Sequence, residues 1–251
     1  MPEWWTYRLS DFLMFTPSTY YRLIERHNAA LWPLQLITLS LGLVLVHQAW
    51  RGGARPFIAP GVLAGLWLLV AWAFHWRHYA SINLAAKWFA VAFVLEALLL
   101  AGWAGVEAAR PLSRGTGDKV GLAVALFGLV LQPSIGPLLG RKWAGVELFG
   151  MAPDPTATVT LGLLLLMGTP ASLLVIPLLW CVMSWATLWA MESGEAWVML
   201  TAGVVVVVEL AVRRVKSEKE TGNGERGTLS AASVSAPAPS RHLPPSADSG
   251  R

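Results

Sequence analysis

The residues able to do chemistry in this 251-residue chain are few, and most stand out because their surroundings are apolar. The stretch from Trp72 to Ala97 concentrates them: His75, His78, Asn83, Lys87 and Glu96. Glu96 stands about 13 residues into an apolar run, near the middle of a bilayer, where a charge costs between about 3 and well over 10 kcal/mol. It is therefore expected to be protonated, paired or reached by water. The functional reading is a proton or cation site, and the plainer one is a neutral carboxyl hydrogen-bonded between helices. Lys87 lies nine residues earlier, and steps of about 100° put it on the opposite face. It is expected to reach the interface along its own stem. His75 and His78 are spaced to offer two imidazoles to a metal, but no carboxylate or thiol stands beside them, so no metal site is expected. Asn83 reads as a helix cap.

A second group lies downstream. Asp154, between Pro153 and Pro155, begins a helix together with Thr156 and can cap its free N–H groups. Gln132 opens the run Gln132-Pro-Ser-Ile-Gly-Pro137, where proline removes a backbone donor and crowds the preceding turn, so a kinked or unwound helix end is expected. Short, proline-interrupted segments of this kind form substrate sites in carriers. The functional reading of Gln132, Asp154 and Thr156, with Thr158 and Thr160, is a shared polar cavity within the membrane. Nucleotide chemistry finds no support, because Gly115-Thr-Gly-Asp-Lys119 lacks the spacing of a phosphate loop. Neither Gly-x-Ser-x-Gly nor His-Glu-x-x-His occurs. Catalysis is less expected than not, and no cofactor is implied.

These residues must be positioned by membrane helices. Hydrophobic residues make up 55% of the chain and charged ones only 14%, against about 25% charged in soluble domains. Fourteen tryptophans, many near the ends of apolar runs (Trp32, Trp50, Trp76, Trp88, Trp143, Trp197), suit headgroup anchoring, while Trp67, Trp180 and Trp185 fall inside runs as packing residues. One cysteine, Cys181, excludes an internal disulfide and reads as buried. The amino terminus lacks the basic-then-apolar order of a signal peptide, so the first span is expected to act as an uncleaved insertion signal.

The expected architecture is an all-α polytopic transmembrane bundle. Residues 1–28 form an interfacial segment in which Thr16-Pro17 starts a helix and Tyr20, Leu23, Ile24 and His27 share one face. Spans follow at about 29–50, 57–76, 83–106, 120–139, 155–168, 171–191 and 196–213, judged by the length needed to cross about 30 Å of hydrocarbon. Gly61 and Gly65 in the second make a GxxxG pattern suited to close helix approach. The segment 156–167 is short for a crossing, which leaves seven spans or six. Arg213, Arg214, Lys216 and Lys219 argue for a cytoplasmic carboxyl terminus, and 214–251 is expected to be a disordered tail rich in Ser, Ala and Pro. Positive charge gives about nine to six in favour of the cytoplasm for seven spans and about ten to five for six, so it separates the two poorly. The net charge of +4 points to the anionic face of a bilayer rather than to nucleic acid.

Four pieces of the chain are similar to an uncharacterised family of bacterial multi-span membrane proteins, a domain of unknown function: Trp32-Pro33 with Gln35; Phe74-His75 with Ile82-Asn83 and Ala85; Gly150 to Thr156 running into Thr160-Leu-Gly-Leu-Leu-Leu; and Pro177-Leu-Leu-Trp180. The resemblance covers about residues 10–212. It implies about seven helical segments and no activity. It also implies cysteine between the two prolines and glutamine at the position of Glu96, so Asp154 and Glu96 depart from the family pattern.

The sequence thus leads to an inner-membrane, multi-pass protein. Its first functional expectation is a small carrier with a polar cavity near Glu96, the broken end of the fourth span and Asp154. A structural or accessory membrane subunit is the competing expectation. The bilayer is the one partner indicated, and whether the chain self-associates is left open.

Overall fold

The computed structural model describes residues 15–51, 58–106 and 117–234, and all the regular structure among them is helical. Expectations for residues 1–14, for the turn up to Arg55, for the loop with Arg110 and Arg114, and for the tail beyond 234 lie outside the described residues. The chain divides into two compact units, Met1–Glu209 and Leu210–Arg251.

Helix α1 (Pro17–Ala30) starts where the capping signal places it: Thr16 Oγ1 accepts the N–H of Thr19, and proline occupies the first turn. It buries Tyr20, Leu23, Ile24 and His27, the four residues that the i, i+3, i+4, i+7 spacing puts on one face. Proline at 33 disfavours helical backbone at Trp32, so the chain turns there before α2 (Leu34–Arg51), and the two axes differ by 89°. The Trp32–Pro33 bond is cis. The helix that falls where the first span is expected, at about 29–50, begins at Leu34.

Helix α3 (Ile58–Leu69) widens into a π turn over Val70–Trp76, which a 3-10 turn at Tyr79–Ser81 follows. Asn83 Oδ1 then accepts the N–H of Ala85 just ahead of α4 (Ala86–Val106). Helix α5 (Gly117–Leu126), a π turn at Phe127–Leu131 and α6 (Gln132–Leu138) make one continuous run, and Lys119–Leu138 has the length and composition of a single span. Of the kink or unwinding expected at Gln132–Pro137, the unwinding does not occur. The π turn immediately ahead of Pro133 changes the backbone pairing where a proline would otherwise crowd the preceding turn, so the helix persists to Leu138.

Helix α7 (Pro153–Met167) is the centre of the first unit, with every residue from Pro153 to Leu166 buried. At about 1.5 Å per residue it is about 22 Å long, and Gly168, at φ 63°, closes it in the left-handed conformation. It runs antiparallel to α5. A side chain on Gly121 or Gly162 would overlap backbone of the other helix, and Gly128 is pressed against Thr158. This is the close helix approach of the fold, built on Gly121, Ala125 and Gly128 facing Thr158 and Gly162. The GxxxG pattern of α3 is not such a seam, because Gly61 and Gly65 are exposed and a Cβ added at either would meet no atom within 4 Å.

A 3-10 turn (Ala171–Leu174) leads into α8 (Val175–Ala190), antiparallel to α7 and joined to it through contacts of Asp154 with Trp180 and Ser184. The last helix, α9 (Ala196–Val234), continues past residue 213. The disordered tail expected from residue 214 is thus helical as far as Val234. Lys216, Glu218, Lys219 and Glu220 are good helix formers and extend the helix although they end the apolar run.

Among the described residues, five stretches are long and apolar enough to cross a membrane: Ile58–Ser81, Ala86–Val106, Lys119–Leu138, Ala171–Ala190 and Ala196–Glu220. The bent pair α1–α2 makes a sixth if taken as one broken span. Outward-facing positions such as Leu95, Leu98, Leu99, Val130, Leu179 and Val204 are exposed and apolar, as lipid-facing helices require.

Candidate functional site

The polar residues converge where α6, the 141–152 loop, the start of α7 and the 191–195 turn meet. Gln132, Arg141, Glu147, Asp154, Glu195 and Met199, with Pro133, Ile135, Leu188 and Val198, line a cavity of about 20 Å³. That is room for about one water molecule. Its lining holds three carboxylates and one guanidinium.

Each charged group is held by identifiable contacts. Asp154 Oδ1 accepts the indole N–H of Trp180 at 2.8 Å, and Oδ2 accepts the hydroxyl of Ser184 at 2.5 Å. The two donors are four residues apart on α8, hence on one face. The sequence suggests Asp154 as the cap of its helix, but the cap position is Ala152, with no side-chain cap bond, and the carboxylate turns sideways to α8. The reason is competition. Two side-chain donors on the neighbouring helix displace the helix's own N–H groups as partners, and the Thr156 hydroxyl ties the approach by accepting from Gly150 N–H and donating to the Ala152 carbonyl.

Arg141 Nη2 donates to Glu195 Oε2 at 2.5 Å, and the guanidinium lies 4.6 Å from the centre of the Tyr21 ring. It folds over Gly136, where a Cβ would overlap it. Tyr21 in turn donates to Ser193 Oγ, whose turn carries Glu195, and Tyr20 donates to Glu147 Oε1 at 3.2 Å. Arg141 Nε and Nη1 and Gln132 Oε1 are buried without hydrogen-bond partners among the described residues. Burial, followed by the charge of Asp154, raises Glu147 well above the usual carboxylate range, although Arg141 opposes the shift. Burial raises Glu195 as well, against the pull of Arg141.

Of the residues singled out in the sequence, Gln132 and Asp154 meet at this cavity, and Thr156 sits within a turn of Asp154 as the buried anchor just described. Glu96, His75 and Asn83 do not line it. Glu96 is fully buried, and neither oxygen has a hydrogen-bond partner among the described residues. His75 is likewise fully buried with both nitrogens unpartnered among those residues, and Phe74, Tyr79, Phe89, Phe93 and Trp180 surround it. Its neighbour in sequence, His78, turns the other way and bonds Nδ1 to Nδ1 with His27 at 3.3 Å, while His27 Nε2 donates to the Met151 carbonyl at 3.0 Å. Asn83 donates to the Tyr79 hydroxyl at 2.9 Å and accepts from Ala85, which is a capping role. Lys87 is exposed, with its ammonium 5.6 Å from the Trp76 ring centre. Among the described residues no three His, Cys, Asp or Glu side chains converge as a metal site.

Nothing in residue spacing marks Arg141, Glu147, Glu195, Trp180 or Ser184 as parts of a site. A weaker signal exists for three of them: a cationic loop that begins at 141–142 and carries Glu147, and an acidic turn at 192–195, fall on the same end of the bundle whenever the helices alternate in direction. The pairing of Asp154 with Trp180 and Ser184 has no counterpart in the sequence.

The model of a family of unknown function, DUF6064, matches residues 17–221. No curated protein and no solved structure matches the chain.

Proposed function

The chain belongs to the DUF6064 family, whose function is unknown, and we propose that it is a small proton-coupled carrier of the bacterial inner membrane, with its working site at Arg141, Glu147, Asp154 and Glu195. One observation carries this reading: three carboxylates and a single guanidinium surround a water-sized cavity at the end of a proline-bearing membrane helix. A set with two surplus negative charges in a low-dielectric place favours taking up a proton; Glu195 has its affinity for one raised, and Glu147 is raised to about 8. The cavity admits a proton or one water as it stands, which suits an occluded state of a carrier. Glu96, buried without a partner among the described residues, is a second protonatable group away from the cavity.

In this reading α2, α3, α4, α5–α6, α7, α8 and α9 make seven passes, with α1 lying in the interface. The site then faces the periplasmic end, and the carboxyl-terminal basic cluster is cytoplasmic. The antiparallel run of α7 between α5 and α8 supports counting it as a pass. Its shortness is accommodated by its position, because it is enclosed by protein and need not match the bilayer.

The accessory-subunit reading has one observation of its own: both oxygens of Asp154 are satisfied by α8, which suffices for holding helices together. Proton flux separates the two. Purified protein is reconstituted into liposomes that contain a trapped pH-sensitive dye, and a potassium diffusion potential is imposed. A carrier gives acidification above that of empty liposomes, and Glu147→Gln removes it. Flux equal to that of empty liposomes, or flux unchanged in Glu147→Gln, contradicts the proposal.

A further inference from the structure

A groove of about 410 Å³ lies at the elbow between α1 and α2, away from the charged cavity. That volume is within the range of small-molecule sites. Trp32 and Trp143, 66% and 72% exposed, stand on its walls, and Leu36 and Leu39 extend it along α2. Its polar groups are unbalanced. Both hydrogens of the Asn28 amide are committed, to the Ala144 carbonyl at 2.9 Å and the Val146 carbonyl at 2.8 Å. The Gln35 amide N–H donates to the Asn28 carbonyl at 2.6 Å. What is left is net negative: the Glu25 carboxylate, which is the one charged group of the lining, and the Gln35 amide oxygen, which has no partner among the described residues although Gln35 is only 5% exposed; the remaining donors, the indole N–H groups of Trp32 and Trp143 and the second Gln35 hydrogen, are neutral. Among the described residues no cation lines the groove.

We infer that this groove holds one phospholipid with a primary-ammonium headgroup, its ammonium between Glu25 and the tryptophan rings and one acyl chain along Leu36 and Leu39. Charge complementarity selects the head: the Glu25 carboxylate has no cation beside it in the lining, the Gln35 oxygen lacks a donor, and indole faces attract ammonium groups. An anionic headgroup would place like charge beside Glu25. A quaternary ammonium would satisfy the charge but could give no hydrogen to Gln35. The apolar floor and the position beside a lipid-facing helix select a lipid over a soluble amine. The inference is independent of proton transport.

The test is native mass spectrometry of the full chain released from mild detergent after incubation with dioleoyl phosphatidylethanolamine, phosphatidylglycerol or phosphatidylcholine. One phosphatidylethanolamine retained per chain, in preference to the other two, is expected. Glu25→Gln should lower that retention about tenfold, the effect of losing one charge-assisted contact. Ala144→Trp, which fills the groove without altering Glu25, should lower retention of all three lipids, and thermal unfolding confirms that both variants are folded. Equal retention of phosphatidylglycerol or phosphatidylcholine, undiminished retention in Ala144→Trp, or displacement by free ethanolamine at concentrations comparable to the lipid would each overturn the inference.

Discussion

At the scale of single residues, Asp154 shows why burial decides chemistry here. It accepts from Trp180 and Ser184, so Asp154→Ala strands two buried donors, each costing about 1–3 kcal/mol. Asp154→Asn keeps one good acceptor and should cost less; thermal unfolding of both variants in detergent gives the order. Glu147 carries the pH dependence. Its affinity for a proton is raised in the folded protein, so its protonated form favours folding below the ordinary carboxylate range, and that contribution is lost as pH rises through the raised value. Glu147→Gln should therefore unfold like the parent at about pH 5 and at higher temperature than the parent at about pH 9. Identical pH profiles would mean that Glu147 is not the titrating group. Gln132 and Asp154 are legible in the sequence because prolines flank them in an apolar chain. Arg141, Glu147 and Glu195 are not, since charges in loops read as solvated until the loops are brought together.

At the scale of elements, the apolar runs mark where the helices start to within about five residues but not where α9 ends, and the Thr16-Pro17 cap with its four-residue apolar face defines α1. Backbone pairing is hidden from such patterns. The π turn before Pro133 keeps α6 helical where proline chemistry alone argues for unwinding, and the elbow at Trp32–Pro33 divides one apolar run into parts of two helices. Small-residue motifs mislead for a related reason: GxxxG describes a face but not whether anything packs on it. Gly162→Ala should destabilise the protein by about 1–3 kcal/mol, the usual cost of forcing volume into a closed helix contact, because its Cβ would meet the Ala125 backbone. Gly61→Ala or Gly65→Ala should be neutral or slightly stabilising, since both face open space in a helix. Gly136→Ala should displace the Arg141 guanidinium and unpair Glu195, and so mimic Arg141→Gln in thermal unfolding.

At the scale of the whole molecule, the first unit wraps a short, fully buried central helix with longer helices whose outer faces are apolar. Its polar cluster sits at one end of that centre, where α7 begins. Composition and periodicity are enough to read an all-helical bundle with several helices apolar enough to cross a membrane; the site needs the tertiary structure, because its charges come from separate parts of the chain. A carrier site must be reachable from both sides of the membrane, whereas polar groups that only join helices need be reachable from neither. The direct measurement uses a Cys181→Ser background with cysteine at position 132 on the cavity wall, treated with a membrane-impermeant maleimide in spheroplasts and in inverted vesicles, with exposed Ser81 and Leu95 positions as loop and lipid-facing controls. The carrier account predicts labelling of position 132 in both preparations; labelling from one side alone, or from neither while the loop control reacts, would contradict it.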